Sequence, residues 1–148
     1  MIITLLFLII APLLTYANPT EGKEMAQKDV DIIFLHHSTG GVIWKGGVPE
    51  WFDQYNADKG TGYKIAEQAF PKSEPYGWRN YPYDYWNIWV DHAGDAPFQE
   101  EETLERLTPQ HDVVIFKHCF PVSNVGADTG TPDIGSADKR MENYILQY

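Results

Sequence analysis

His36, His37 and Ser38 follow directly on four apolar residues, Ile32-Ile33-Phe34-Leu35, and Gly40-Gly41 comes next. A serine hydroxyl and imidazole rings are the raw material of nucleophilic and proton-transfer chemistry. The apolar run favours a buried strand, and the glycines let the backbone turn sharply after it. In open α/β sheets ligands gather beyond the carboxyl ends of strands, so Ser38 is a candidate nucleophile by position as well as by type. The plainer role for such a serine is to cap the following helix. His37 and His118 are candidates for orienting a substrate. Adjacent residues on a strand point to opposite faces, and there is no His-x-x-x-His or Cys-x-x-Cys spacing, so no metal site is expected among His36, His37 and His118.

A second uninterrupted apolar run, Val113 to Phe116 within 112–118, predicts another strand, covered on both faces and lying parallel beside the first. It leads into Cys119-Phe120-Pro121-Val122-Ser123-Asn124, again a turn at a carboxyl end. Tyr63 to Phe70 alternates weakly and predicts an edge strand. Trp86 to Val90 reads as a further strand, with His92-Ala93-Gly94-Asp95 as its terminal turn. Helices are expected over Val48–Tyr55, where proline stands in the first turn, over Thr103–Leu107, and on a face marked by Met141, Tyr144, Ile145 and Tyr148. The fold class is therefore α/β. The aromatic stretch from Tyr76 to Trp89 serves either as a loop packed over the sheet or as a platform for sugar rings, and packing is the commoner use.

Ile2 to Leu14 is almost wholly apolar, short for a membrane span of roughly 20 residues but suited to the core of a signal peptide. Thr15-Tyr16-Ala17 places the expected cut after Ala17, giving a signal peptide at 1–17, a polar linker at 18–28 and one domain at 29–148. A secreted or periplasmic location follows, with no stable membrane span after cleavage. An uncleaved anchor is the minor alternative. The formal net charge of −10 argues against nucleic acid as a partner. Cys119 is the single cysteine, so no internal disulfide forms, and its apolar neighbours predict a buried thiol.

Three ordered blocks resemble the SGNH (GDSL-type) hydrolases: His36-His37-Ser38-Thr39-Gly40-Gly41, then Gly94 followed by the Leu104 and Leu107 helix, then Asn124 in Phe120-Pro121-Val122-Ser123-Asn124. The resemblance covers residues 29–148. It implies a three-layer α/β/α (flavodoxin-like) parallel sheet, incomplete at the C-terminus, and an esterase with Ser38 as nucleophile. Gly94 and Asn124 would complete the oxyanion hole with the Ser38 amide. No cofactor is implied, and the partner would be a small-molecule or glycan ester. The blocks depart from the family pattern in the residues flanking Ser38 and Asn124. The family's Asp-x-x-His block has no counterpart after Asn124, so the chain is expected to be part of a longer hydrolase domain. The bland alternatives remain: Asn124 as an ordinary turn residue, Gly94 as a commonplace glycine, and the whole as a non-catalytic carbohydrate-binding domain.

Overall fold

The computed structural model describes residues 29–148 except Trp78; the expected signal peptide and linker lie outside the described residues. Strand β1 (Val30–His36) is central in a three-stranded sheet of order β2-β1-β3, with β2 (Tyr63–Ala69) and β3 (Val113–Phe116) both parallel to it. Val30 pairs with Tyr63 and His36 with Ala69 on one side, while Ile32 pairs with Val113 and Leu35 with Phe116 on the other. The protein is thus a mixed α/β fold, and the two apolar runs are parallel neighbours as the sequence predicts.

Parallel neighbours need crossover connections, and these supply the layers. From β1 the chain passes through α1 (Thr39–Lys45) and α2 (Val48–Lys59) to β2. Phe52 and Tyr55 of α2 set their rings against Tyr63, on the face that also carries Ile32, Phe34 and His36. From β2 the chain crosses to the far side of β1 through α3 (Pro82–Trp86), the π-helical turn Asn87–Asp91 and α4 (Leu104–Leu107). Ile33 and Leu35 on this second face pack with Phe70, Tyr85, Ile88 and Leu107. Leu35, Phe70 and Ile88 are fully enclosed, each worth about 1.5–3 kcal/mol of apolar burial.

Three expectations are corrected. Trp86–Val90 is not a strand: Trp86 closes α3 and the rest forms the π turn. The buried rings and aliphatic chain, Tyr81, Tyr85, Ile88 and Trp89, keep helical spacing; the strand-favouring types Trp, Ile and Val concealed it. β3 is not covered on both faces: Val113, Ile115 and Phe116 are 40–41 % exposed, because the helical layers centre on β1 and leave its neighbour open. Finally, the face expected on α5 (Met141–Gln147) is split, with only Tyr144 of its four residues turned inward. Met141 and Ile145 are exposed, while Asn143, Tyr144 and Gln147 are buried. Polar side chains dock this helix because the loop before it presents backbone groups: Asn143 accepts from the Asp133 amide and donates to the Asp138 carbonyl, and Gln147 donates to the carbonyls of Ile134 and Ser136.

Candidate active site

β1 delivers Ser38 to the carboxyl edge of the sheet. The backbone there has φ 48° and ψ −110°, a left-handed excursion that costs a non-glycine residue about 1–3 kcal/mol and persists only when its surroundings enforce it. The enforcing contacts are visible. The Gly40 and Gly41 amides donate to the carbonyls of His37 and Ser38 at 2.9 Å, winding the chain into α1 at once. Beneath the turn lies His36, 6 % exposed, with Nε2 2.7 Å from the Glu67 carboxylate on β2. Gly40 rests directly on that ring, where a Cβ would stand only 2.4 Å from His36 Cβ and Cγ. His37 Nε2 bonds the Pro71 carbonyl just past β2, so both histidines clamp the turn to the neighbouring strand. Ser38 itself is exposed and makes no side-chain capping bond to α1, so the hydroxyl does not do the cap's work.

Asn124 follows the 3₁₀ turn Phe120–Ser123 and is exposed. Because β1 and β3 are parallel neighbours, its loop leaves the same edge of the sheet as Ser38. Cys119, buried as expected, donates its amide to the Asn80 carbonyl, and the Tyr144 hydroxyl donates to the Val122 carbonyl, fixing the start of that loop. Gly94 has φ 148°, open only to glycine at little cost. Its amide donates to Glu105 Oε2 at 3.1 Å and its carbonyl accepts from the Thr103 hydroxyl, so the N–H is engaged with α4 and must leave Glu105 to serve an oxyanion.

His118 stands at the end of β3, its ring edge-on to Tyr85 at 4.7 Å. Burial, aided by the neighbouring Lys117 charge, pushes its pKa down to about 4, so the imidazole is neutral near pH 7. Its Nε2 bonds the Tyr148 hydroxyl, and Nδ1 is enclosed without a partner. A neutral imidazole is the right form for a general base, but these contacts must open before it takes a proton. Beside it an apolar cavity of about 310 Å³ runs between Tyr85, Trp89, Val114, Phe116 and Tyr148.

The aromatic stretch divides in use. Tyr81, Tyr85 and Trp89 belong to the buried interior, whereas Tyr76, Tyr83 and Trp86 are half-buried around its rim. Sequence reading missed the buried polar frame that carries them. Asp84, 1 % exposed, accepts from the Arg79 and Asn80 amides and from the Tyr76 hydroxyl, and burial raises its pKa. Asn80, fully buried, donates to the Phe70 carbonyl and thereby ties the exit of β2 to the exit of β3. Glu101, also fully buried, accepts from the Lys72 amide, and burial pushes its pKa up to about 7. Proline in the first helical position with Asp84 two residues later is a helix-start signal that would have revealed the first of these.

Among the described residues no three or more His, Cys, Asp or Glu side chains are grouped to hold a metal ion. No helix among them is long and apolar enough to cross a membrane. Comparison with protein-family models, with curated proteins and with solved structures finds no match to this chain.

Proposed function

We propose that the protein is an exported serine esterase of SGNH type, with its α/β fold being part of a three-layer, flavodoxin-like domain. The observation that carries the reading is the Ser38 turn: an exposed hydroxyl, on a strained backbone at a strand's carboxyl end, that caps nothing. Strain of this kind collects where a side chain must be presented to a ligand. Ser38 Oγ attacks the carbonyl carbon of an acyl ester while its proton passes to a base. The carbonyl oxygen takes up the negative charge, the alcohol leaves with a proton, and water then releases the acid from the acyl-serine. The Ser38 amide, the Gly94 amide once released from Glu105, and the Asn124 side chain would stabilise the oxyanion; one such donor is worth about 2.7–4 kcal/mol. His37 holds the turn and His118 follows β3, the strand beside β1, which supports a substrate-orienting role for these two imidazoles.

A fluorophosphonate probe tests the reading, since it reacts only with an activated serine. Labelling that disappears in Ser38→Ala supports it, and labelling indifferent to that change removes it. The engaged Gly94 amide and the enclosed His118 favour a second reading, a non-catalytic glycan-binding domain on the same scaffold. A folded protein that takes no label decides for the second.

A further inference from the structure

The π-helical turn and α3 border a second cavity, polar and about 170 Å³ in volume, lined by Tyr76, Arg79, Tyr83, Asp84, Asn87 and Gln99. Its chemistry differs from that of the apolar cavity by His118. Asp84 Oδ1 accepts from the Tyr76 hydroxyl at 3.3 Å, and that hydroxyl accepts from Asn87 Nδ2 at 3.0 Å. The network fixes three polar side chains before any ligand arrives, which is what lowers the entropic cost of binding. Arg79 and Gln99 are exposed, and Tyr83 is half-buried with its ring beside Trp86.

We infer that this cavity binds one neutral sugar ring, its hydroxyls bonded by Arg79, Asn87 and Gln99 and its apolar face laid on Tyr83, with buried Asp84 holding the Tyr76 hydroxyl in the wall. The donors and acceptors are mixed: a guanidinium and amide N–H groups donate, while amide and phenol oxygens accept. A polyol needs both at once, because each of its hydroxyls donates and accepts. An anionic ligand does not fit, since the single guanidinium is already bonded to the Tyr81 hydroxyl, the Asp84 carboxylate lies in the wall and the chain carries a net charge of −10. A simple cation does not fit either, with Arg79 on the wall. Small-molecule sites combine aromatic wall with a few convergent polar groups, as here.

The frame behind the cavity is tied to the carboxyl end of the sheet. Asp84 holds the Asn80 amide, and Asn80 bonds the Phe70 carbonyl just past β2, the strand beside the one that presents Ser38. A sugar seated there would belong to an esterified glycan, an assignment that rests on the esterase reading for its purpose but on the cavity alone for its existence.

Titration of the full chain with methyl β-D-glucopyranoside, methyl β-D-xylopyranoside and N-acetylglucosamine, followed by saturation-transfer NMR and tryptophan fluorescence, tests the inference. Saturable binding of at least one sugar is expected. Arg79→Ala and Tyr83→Ala should each weaken it about tenfold, roughly 1.4 kcal/mol. Neither change removes the backbone amides that Asp84 accepts, so the fold of each variant is checked by thermal unfolding. Trp51→Ala on α2, an exposed aromatic far from this cavity in the chain, is the control for loose stacking. Absence of binding to all three sugars overturns the inference, as does binding that both cavity variants leave intact or that Trp51→Ala reduces equally. The titration involves no chemistry at Ser38 and the fluorophosphonate experiment involves no sugar, so either reading can fail alone.

Discussion

Gly40→Ala and Gly41→Ala form a pair that isolates what holds the serine turn in place. Both glycines lie in the first turn of α1, and neither has a left-handed φ, so alanine is compatible with either backbone. Replacing glycine by alanine in a helix gains up to about 1 kcal/mol of propensity, and both variants share that gain. They differ in what the new methyl meets. At Gly41 the nearest atom is His36 Cε1 at 3.8 Å, an ordinary contact. At Gly40 the methyl falls 2.4 Å from His36 Cβ and Cγ and 2.6 Å from Nδ1. Those are not the far end of a flexible chain: the ring is buried and its Nε2 is bound to Glu67. Either α1 lifts off the sheet or the ring swings away from Glu67. Overpacking of this kind costs about 1–3 kcal/mol, and loss of the imidazole–carboxylate bond adds about 0.5–1.5 kcal/mol. Gly40→Ala should therefore be less stable than Gly41→Ala by about 2–4 kcal/mol in urea unfolding at neutral pH. The same displacement moves Ser38, so fluorophosphonate labelling should drop in Gly40→Ala and persist in Gly41→Ala. Equal stabilities of the two variants would refute the claim that the His36 ring props the turn.

Three further outcomes are expected. The folded His118 imidazole should titrate in NMR with a midpoint about 4; because this lies below the ordinary 6.5, the unfolded chain takes up that proton first, and stability is lost as pH falls from 6.5 through 4. A His118→Gln variant should show a flatter stability profile over that range, and an unchanged profile would count against the burial argument. Glu101 works in the opposite sense: its folded pKa, about 7, is above the usual 4.5, so its contribution is complete below 4.5 and is lost as pH rises through 7. Urea unfolding of Glu101→Gln should lack that loss, and a retained one would place its origin elsewhere. Leu35→Ala removes a fully buried side chain at the centre of the sheet and should cost about 2–5 kcal/mol in the same measurement; a cost under 1 kcal/mol would mean that the second helical layer does not pack on β1.

The parts of this fold legible in sequence are those decided within one element. Ile32 to Leu35 and Val113 to Phe116 are short apolar runs with no helical gap, and they are parallel neighbours. Val48, Trp51, Phe52 and Tyr55 keep helical spacing with a proline in the first turn, and α2 forms there. The stretch around Trp89 misleads because its residue types favour a strand while its spacing, Tyr81 to Tyr85 to Ile88 and Trp89, is that of a helix; spacing decides when packing against Leu35 is available. In α5 the apolar stripe misleads for a different reason. The loop at 129–138 offers more backbone groups than it can pair internally, and Asn143 and Gln147 satisfy them at the expense of exposing Ile145. Nothing local in Met141–Gln147 signals that demand.

The candidate site divides along the same line. The order strand, His36-His37-Ser38, Gly40-Gly41 is enough to place an exposed serine beyond a strand, and the glycine that makes room for the His36 ring is two residues from that serine. What holds the turn comes from elsewhere: Glu67 and Pro71 lie on and after β2, some thirty residues along the chain. The competence of the partners is equally nonlocal. Whether the Gly94 amide is available depends on Glu105, and whether His118 can accept a proton depends on Tyr148 and on burial beside Tyr85. A sequence motif can therefore nominate a nucleophile, because presentation is a property of one turn. It cannot nominate the acid–base chemistry, because a proton's destination is set by hydrogen bonds that only the folded chain makes. In this molecule Ser38 is presented while the Gly94 amide and the His118 ring are held by other groups, so the proposed esterase chemistry would need the Glu105 and Tyr148 contacts to open. Glu105→Ala frees the first and Tyr148→Phe the second, and each should raise fluorophosphonate labelling of Ser38 if those contacts restrain the site; labelling unchanged in both would show that they do not.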